Sequence, residues 1–286
     1  MNSSALVTAV IPSYNHAKYI KESIQSMLDQ DYENMEMIII DDGSSDNSIE
    51  IIESMIPLCK KRFKRFEFRH RENKGVSATL NEGIMWSKGK YLSPLASDDI
   101  ALSHKTSFLI DKIENSNYPA VFGDIKRIGE RNDKEPNIKE FTIHTFDEIF
   151  TLQNRPFAPS SMYKIEALKK IGGYPVDIAV EDWYMELKFT ENNSKIVSYP
   201  EVLTYYRRHN KNTSKNYELI YNNFIKIVDN YKNHKLYFKA RKLCDIYLIK
   251  ISLANNCLSS NLNMKIAKII SKAKKYSQEN NKIAIY

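Results

Sequence analysis

Met35-Glu36-Met37-Ile38-Ile39-Ile40, followed by Asp41-Asp42-Gly43-Ser44-Ser45-Asp46, decides the fold. A short, almost uninterrupted apolar run fits a strand buried on both faces, as in a parallel sheet. The acidic segment with Gly and Ser stops it with turn chemistry. The same pattern stands on either side. Ala5–Ile11, with Val7, Val10 and Ile11, is a near-continuous apolar run ended by Pro12-Ser13-Tyr14-Asn15. Tyr19, Ile20, Ile24, Met27 and Leu28 then recur at helical spacing. Asn47 or Ser48 can cap a helix carrying Ile51, Ile52 and Met55. Phe63–Arg69 reads as a third strand, and Gly75–Trp86 as a third helix with Leu80, Ile84 and Met85 on its apolar face. This alternation predicts an α/β fold with a mainly parallel sheet, in which ligands sit beyond the carboxyl ends of the strands.

Tyr91-Leu92-Ser93-Pro94-Leu95 continues the series and leads into Ser97-Asp98-Asp99. Two adjacent carboxylates at the exit of a buried strand are costly unless something cationic or hydrogen-bonding meets them. One partner is a hard cation, Mg²⁺ or Mn²⁺, bridging to a diphosphate; the other reading is a helix N-cap. Pro12–Asn15, Asp41–Asp46 and Ser97–Asp99 all fall at strand ends, a convergence that capping alone does not explain. Further on, Ser103–Glu114 reads as a helix, Ala120–Ile128 as a strand and Arg131–Lys139 as a polar connection. Thr145-Phe146-Asp147-Glu148 has the capping-box spacing. Gly172-Gly173-Tyr174-Pro175 is a turn, and Glu181-Asp182-Trp183 opens a helix reaching about Asn192. Beyond Tyr217 the pattern is helical to the end.

At 286 residues and 42% hydrophobic, the chain can hold one large domain or a domain with a smaller appendage. No apolar run approaches the ~18 residues of a membrane span, and no basic segment followed by an apolar one opens the chain. Cys59, Cys244 and Cys257 lack metal-like spacing and read as reduced thiols of a cytoplasmic protein. No Gly-x-Gly-x-x-Gly follows the first strand, which excludes a dinucleotide-binding oxidoreductase. From Lys211 onward there are 15 Lys and Arg against 4 Asp and Glu, a net +11, whereas the first 210 residues carry −4. Such asymmetry points to an anionic partner. Nothing resembles a nucleic-acid module, so a membrane surface is favoured over nucleic acid.

Taken in order, the motifs resemble the family 2 glycosyltransferases of the GT-A fold. They are Val10-Ile11-Pro12-Ser13-Tyr14-Asn15; Ile39-Ile40 with Asp41-Asp42-Gly43-Ser44-Ser45-Asp46; Asn73-Lys74-Gly75-Val76-Ser77 with Asn81 and Gly83; Ser97-Asp98-Asp99; Glu181-Asp182-Trp183; and Arg207-Arg208-His209 with Asn212-Thr213-Ser214. The resemblance covers about residues 5–215 and implies an α/β GT-A domain at 1–215, with 216–286 as a basic helical C-terminal region. It implies an enzyme that inverts the anomeric carbon, using a nucleotide-sugar donor (UDP-linked by preference), a divalent cation (Mn²⁺ or Mg²⁺) and a saccharide or lipid-linked saccharide acceptor, as in bacterial surface-polysaccharide synthesis. Pro12, Ser13 and Tyr14 would wrap the nucleoside, Asp42 would accept from a base N–H, and Asp41 would support that loop. Lys74 and Gly75 would meet the nucleotide at a helix N-terminus. Asp99 would bind the cation, and Asp98 the ribose or the cation through water. Ser97 departs from the commoner Asp-x-Asp pattern, which leaves fewer protein carboxylates for the metal. Asp182 would be the general base, with Glu181 orienting it or holding an acceptor hydroxyl and Trp183 stacking on a sugar. Arg207 and Arg208 would close over the diphosphate, with His209 a further metal ligand. His16, His70, His104, His144 and His234 receive no role. A catalytically silent nucleotide-sugar-binding or scaffold protein is one rival. A nucleotidyltransferase is the other, although it would carry a Gly-rich basic loop after the first strand.

The tail generates its own expectation. Lys265, Lys268, Lys272 and Lys275 fall near one helical face, with Ile266, Ile269, Ile270 and Ala273 on another. A basic face of this kind suits anionic headgroups, at about 1 kcal/mol per basic residue. It would place the enzyme peripherally at the inner face of the cell membrane. Replacing the four lysines with Gln is expected to weaken sedimentation with anionic vesicles while sparing activity on a soluble acceptor. Salt-insensitive binding, or none by the wild type, would leave the tail a packing element.

Overall fold

A computed structural model describes residues 5–130, 137–210, 212 and 216–254. The first half contains β1 (Val7–Ser13), α1 (Ile20–Leu28), β2 (Met35–Asp41), α2 (Ser48–Arg62), β3 (Phe66–His70), α3 (Val76–Trp86), β4 (Tyr91–Pro94), β5 (Ile100–Ala101) and α4 (Lys105–Glu114). Then follow β6 (Ala120–Gly129), β7 (Thr142–His144), α5 (Phe146–Phe150), β8 (Ser161–Lys164), α6 (Ile165–Lys170), α7 (Glu181–Thr190) and β9 (Ile196–Arg208). Helices α8 (Tyr217–Asp229) and α9 (Tyr237–Ala254) complete the described elements.

The sheet runs β3-β2-β1-β4-β8-β6-β9-β5, with β7 paired to β9. Strands β3, β2, β1 and β4 are parallel, as the strand–helix alternation led us to expect. Beyond β4 the sheet is mixed: β8 is antiparallel to both β4 and β6, β9 is parallel to β6, and β5 and β7 are antiparallel to β9. Every residue of β2 is buried, which is why it reads as an uninterrupted apolar run. Alternate residues Val7, Ala9, Ile11, Met35, Met37 and Ile39 join α1, α2 and α4 in one core. The intervening Val10 belongs to the opposite face, where α3 packs. A Cβ on Gly83 would stand 2.7 Å from the Val10 side chain, so glycine is what lets α3 lie flat on β1. The Asn81 amide then brackets Tyr174, donating to its carbonyl and accepting its N–H, both at 2.8 Å. This ties the turn at Gly172 and Gly173, whose φ values are +86° and +76°, to α3.

Local chemistry moves several expected boundaries. Helix α2 runs through Pro57 to Arg62, so the third strand opens at Phe66 rather than Phe63. Neither Asn47 nor Ser48 caps α2 with its side chain; Asp46 does so, accepting the Ser48 N–H at 3.0 Å. At Thr145 the glutamate half of the expected capping box forms, with Glu148 Oε2 accepting the Thr145 N–H at 3.0 Å and its hydroxyl at 2.7 Å.

The chain divides into two compact units, Met1–Ile149 with Gln153–Asn210, and Phe150–Leu152 with Lys211–Tyr286. In the second, Asn216 caps α8 by accepting the Leu219 N–H at 3.1 Å. Tyr221 donates to Asp245 at 2.7 Å, and Phe224 packs on Tyr247 at 5.1 Å between ring centres. Cys59 and Cys244 are buried free thiols, and burial pushes each up to about 12. Among the described residues no helix is long and apolar enough to cross a membrane. Cys257, Thr213, Ser214, most of the Arg131–Lys139 connection, and the lysines Lys265, Lys268, Lys272 and Lys275 lie outside the described residues.

Candidate functional site

Strands β1 and β2 end in register, Ser13 opposite Asp41, so their loops leave the sheet side by side. Asp41 is fully buried and its carboxylate organises those loops. It accepts from Ser13 Oγ at 3.0 Å, from the Ser44 N–H at 2.8 Å and from Ser44 Oγ at 2.6 Å. Asn15, at φ +52°, accepts the Ser45 N–H at 2.8 Å and so closes the β1 loop onto the β2 loop. Asp42, 4% exposed, pins the start of α3. Its two oxygens accept the N–H groups of Lys74 and Gly75, each at 2.8 Å, and it pairs with Arg71. The base-reading carboxylate expected from the sequence is thus already a structural clamp, and Arg71, to which no role was given, is its counter-charge. Gly75 has φ +88°, and nothing lies within 4 Å of where a Cβ would stand. The backbone there is open to close approach. The Ser77 hydroxyl, in the first turn of α3, is buried without a partner. Pro12 is half-buried, Tyr14 is 48% exposed and Lys74 is exposed on the rim.

A second cluster forms because β5 pairs antiparallel with β9, Ile100 opposite Tyr205 and Ala101 opposite Thr204. That register sets Asp98 and Asp99 beside the last residues of β9. The Arg207 N–H donates to Asp99 Oδ1 at 2.8 Å, and its guanidinium donates to the Asp98 carbonyl at 2.9 Å and to Glu22 at 2.5 Å. His209 Nε2 lies 2.8 Å from Asp98 Oδ2. His16, from the β1 loop, hydrogen-bonds Ser97 Oγ through Nδ1 at 2.7 Å and brings Nε2 to 3.9 Å from Asp98 Oδ2. Strand alternation sends Arg208 to the opposite face from Arg207. Asp99 Oδ2 is buried without a partner, and burial, with Asp98 beside it, raises the Asp99 carboxyl well above the ordinary range. Beneath the pair, fully buried Lys105 donates to the Pro159 carbonyl at 2.8 Å; burial pushes its ammonium down to about 7, against the pull of Asp99. His16 and Lys105 were missed in the sequence. The one available signal was position, since both flank strand-end loops.

The third group opens α7. Asp182 accepts the Trp183 N–H at 2.7 Å and pairs with Arg155 at 3.2 Å, its side chain 41% exposed. Arg155 also grips buried Glu186 with two bonds, at 2.7 and 3.0 Å. Burial and the neighbouring Asp182 raise the Glu181 carboxyl to about 8. Trp183 requires a correction. It is fully buried and donates Nε1–H to the Ile149 carbonyl at 2.9 Å, so it offers no ring face to a sugar. A cavity of about 520 Å³ lined by Gly89, Tyr91, Lys164, Glu166 and Lys169 lies at the amino end of β4, the end opposite to the one that leads into Asp98 and Asp99.

These strand-end loops and this sheet order are those of the GT-A fold. Residues 8–172 match the model of glycosyl transferase family 2, and the chain belongs to that family. An uncharacterized glycosyltransferase of Rickettsia bellii is 31% identical over 192 residues, 66% of this chain and 27% of the relative. The glycosyltransferase GlyG of Streptococcus pneumoniae is 36% identical over 122 residues, 42% of this chain and 39% of the relative. The chain therefore spans well under two thirds of the length of these curated relatives. Among solved structures, residues 1–349 of Staphylococcus aureus TarS in complex with UDP-GlcNAc superpose with a TM-score of 0.69 at 17% identity, covering 92% of this chain and 79% of that one. The mannosyltransferase PcManGT from Pyrobaculum calidifontis in complex with GDP-Man and Mn²⁺ gives 0.61 at 14% identity, covering 97% and 81%.

Glu181 makes stability pH-dependent with a definite sign. Its folded-state value of about 8 stands above the ordinary 4.5, so the fold holds a proton that the unfolded chain has released. Stability is fully present below the ordinary value and is lost as pH rises through about 8. Glu181→Gln carries no such charge. In urea unfolding the variant is expected to gain stability relative to wild type between pH 5 and pH 9. Parallel pH profiles would remove the buried carboxyl from the account.

Proposed function

We propose that the protein is an inverting glycosyltransferase that moves a sugar from a nucleotide donor, UDP-linked by preference, to a hydroxyl of a free or lipid-linked saccharide. The observation that carries this reading is the meeting of the Ser97-Asp98-Asp99 turn with Arg207 and His209 at the strand-end edge, where the β1 and β2 loops also leave. Complexes of the two structural neighbours with UDP-GlcNAc and with GDP-Man and Mn²⁺ support a nucleotide-sugar donor. Pro12, Ser13 and Tyr14 border the nucleoside, with the exposed Tyr14 ring available to the base or ribose. Asp42 acts on the base from its clamped position, and Gly75 gives the nucleotide access to the N–H groups that open α3. Arg207 neutralises the diphosphate, and Lys74 on the rim adds charge.

A divalent cation fits the residues present. Asp98 and His209 would hold it, their donor atoms 2.8 Å apart, and Asp99, whose buried Oδ2 lacks a partner, adjoins them on the same turn. When bound, it would draw off negative charge from the departing diphosphate. Asp182 is the exposed carboxylate of the α7 pair and takes the proton from the acceptor hydroxyl. The acceptor oxygen then bonds to the anomeric carbon as the bond to the diphosphate oxygen breaks on the opposite side, which inverts the centre. The Arg155 contact orients Asp182. Glu181 stays protonated at neutral pH and donates to the acceptor. Two adjacent carboxyls with divided roles are a recurrent way to run acid and base chemistry together.

Asp182→Asn keeps the Arg155 contact but abolishes the base, and transfer is expected to fall by about 10²–10⁴ with donor binding retained. Nucleoside diphosphate release across a panel of nucleotide sugars, with a saccharide acceptor present, reads this directly. Transfer by the variant at nearly the wild-type rate would place the base elsewhere.

A further inference from the structure

Ser97 occupies the position where an acid would complete an Asp-x-Asp pattern, and the structure shows what the hydroxyl does there. It holds His16 Nδ1 at 2.7 Å, which turns the other ring nitrogen toward Asp98. The His16 backbone is itself fixed, since its N–H donates to Ser48 Oγ at 3.0 Å and the next N–H, of Ala17, donates to Asp46 at 3.0 Å. His209 comes from the other direction, at the end of β9, with its ring stacked on Tyr19 at 5.0 Å and 25°. The two imidazoles stand edge to face, their centres 5.6 Å apart. One donor atom from each of His16, Asp98 and His209 lies within 4.8 Å of the others. Donor atoms around an ion with bonds of ~2.1 Å stand about 3 Å apart. His209 and Asp98 already meet that spacing at 2.8 Å, and His16 has roughly an ångström to close from 3.9 Å.

A single Asp98–His209 hydrogen bond would satisfy both of those groups. It does not account for a second imidazole aimed at the same oxygen by a dedicated hydroxyl. A hydrogen-bonded distal nitrogen is the usual way to orient a metal-ligating histidine. We propose that His16, Asp98 and His209 form a divalent-metal site with two nitrogen donors and one carboxylate, and that Ser97 positions His16 within it. The donor set deepens the transferase reading, on which it rests for the use made of the ion. Imidazole favours transition ions, whereas an all-oxygen set suits Mg²⁺. The site therefore takes Mn²⁺ and later divalent ions in preference to Mg²⁺, and the nitrogen from the β1 loop compensates for the acid missing at position 97.

Pulsed electron paramagnetic resonance of the full chain with Mn²⁺ alone tests this without any turnover. Wild type is expected to show two imidazole nitrogens coupled to the ion, with Mg²⁺ displacing it only in large excess. His16→Gln should leave one coupled nitrogen and weaken Mn²⁺ binding about tenfold or more, and Ser97→Ala should weaken it by about 10–100-fold. Unchanged circular dichroism melts establish that both variants fold. One nitrogen in the wild type, identical spectra for wild type and His16→Gln, or Mg²⁺ competing at parity would overturn the proposal. Failure of the donor panel with both nitrogens present would count against the transferase reading alone. Transfer by an enzyme with a single coupled nitrogen would count against this inference alone.

Discussion

Holding Asp98 and Asp99 side by side at 7% and 1% exposure costs several kcal/mol per ion unless each is met by a donor or a cation. Much of the second half of the sheet is arranged to meet them. Strand β9 runs for 13 residues and pairs with the two-residue β5, which fixes the Arg207 N–H against Asp99 and His209 against Asp98. Buried Lys105 lies below, its amine donating to the Pro159 carbonyl, and His16 reaches in from the β1 loop. One oxygen, Asp99 Oδ2, remains without a partner. An arrangement that leaves a buried carboxylate oxygen unmatched is stable only as part of a binding site or with a retained proton.

The parallel half of the fold was legible because its inner strands are buried on both faces. β1 and β2 read as apolar runs with polar stops, and those stops lie where the strand-end loops are. The antiparallel additions were not legible, since β5 is two residues long and its partner lies about a hundred residues away. The same distance hid His16, whose partner Ser97 is 81 positions on. Arg71 and Arg155 received no role from the sequence, yet each pairs with a buried acid. Trp183 misled in the opposite direction. Asp182 beside it is exposed enough to act, but helical periodicity turns position 183 into the core.

The division of labour among the carboxylates follows from environment rather than residue type. Asp41 and Asp42 organise the loops, and their hydrogen bonds hold the first two strand-end loops and the start of α3 in one frame. Glu181 is held protonated by burial beside Asp182, while Asp182 keeps contact with Arg155 and solvent. A site organised this way is largely formed before any ligand arrives, so that little ordering is left for binding to offset.

In the proposed function, the strand-end loops and the end of β9 act as one nucleotide-diphosphate site. Hydrogen exchange of the full chain with and without UDP and Mn²⁺ addresses it most directly. Concerted protection is expected at residues 12–16, 41–46, 71–76, 97–99 and 205–209, with little change around the cavity at Gly89 and Lys164. Protection confined to that cavity, or none at the strand-end loops under saturating UDP, would contradict it.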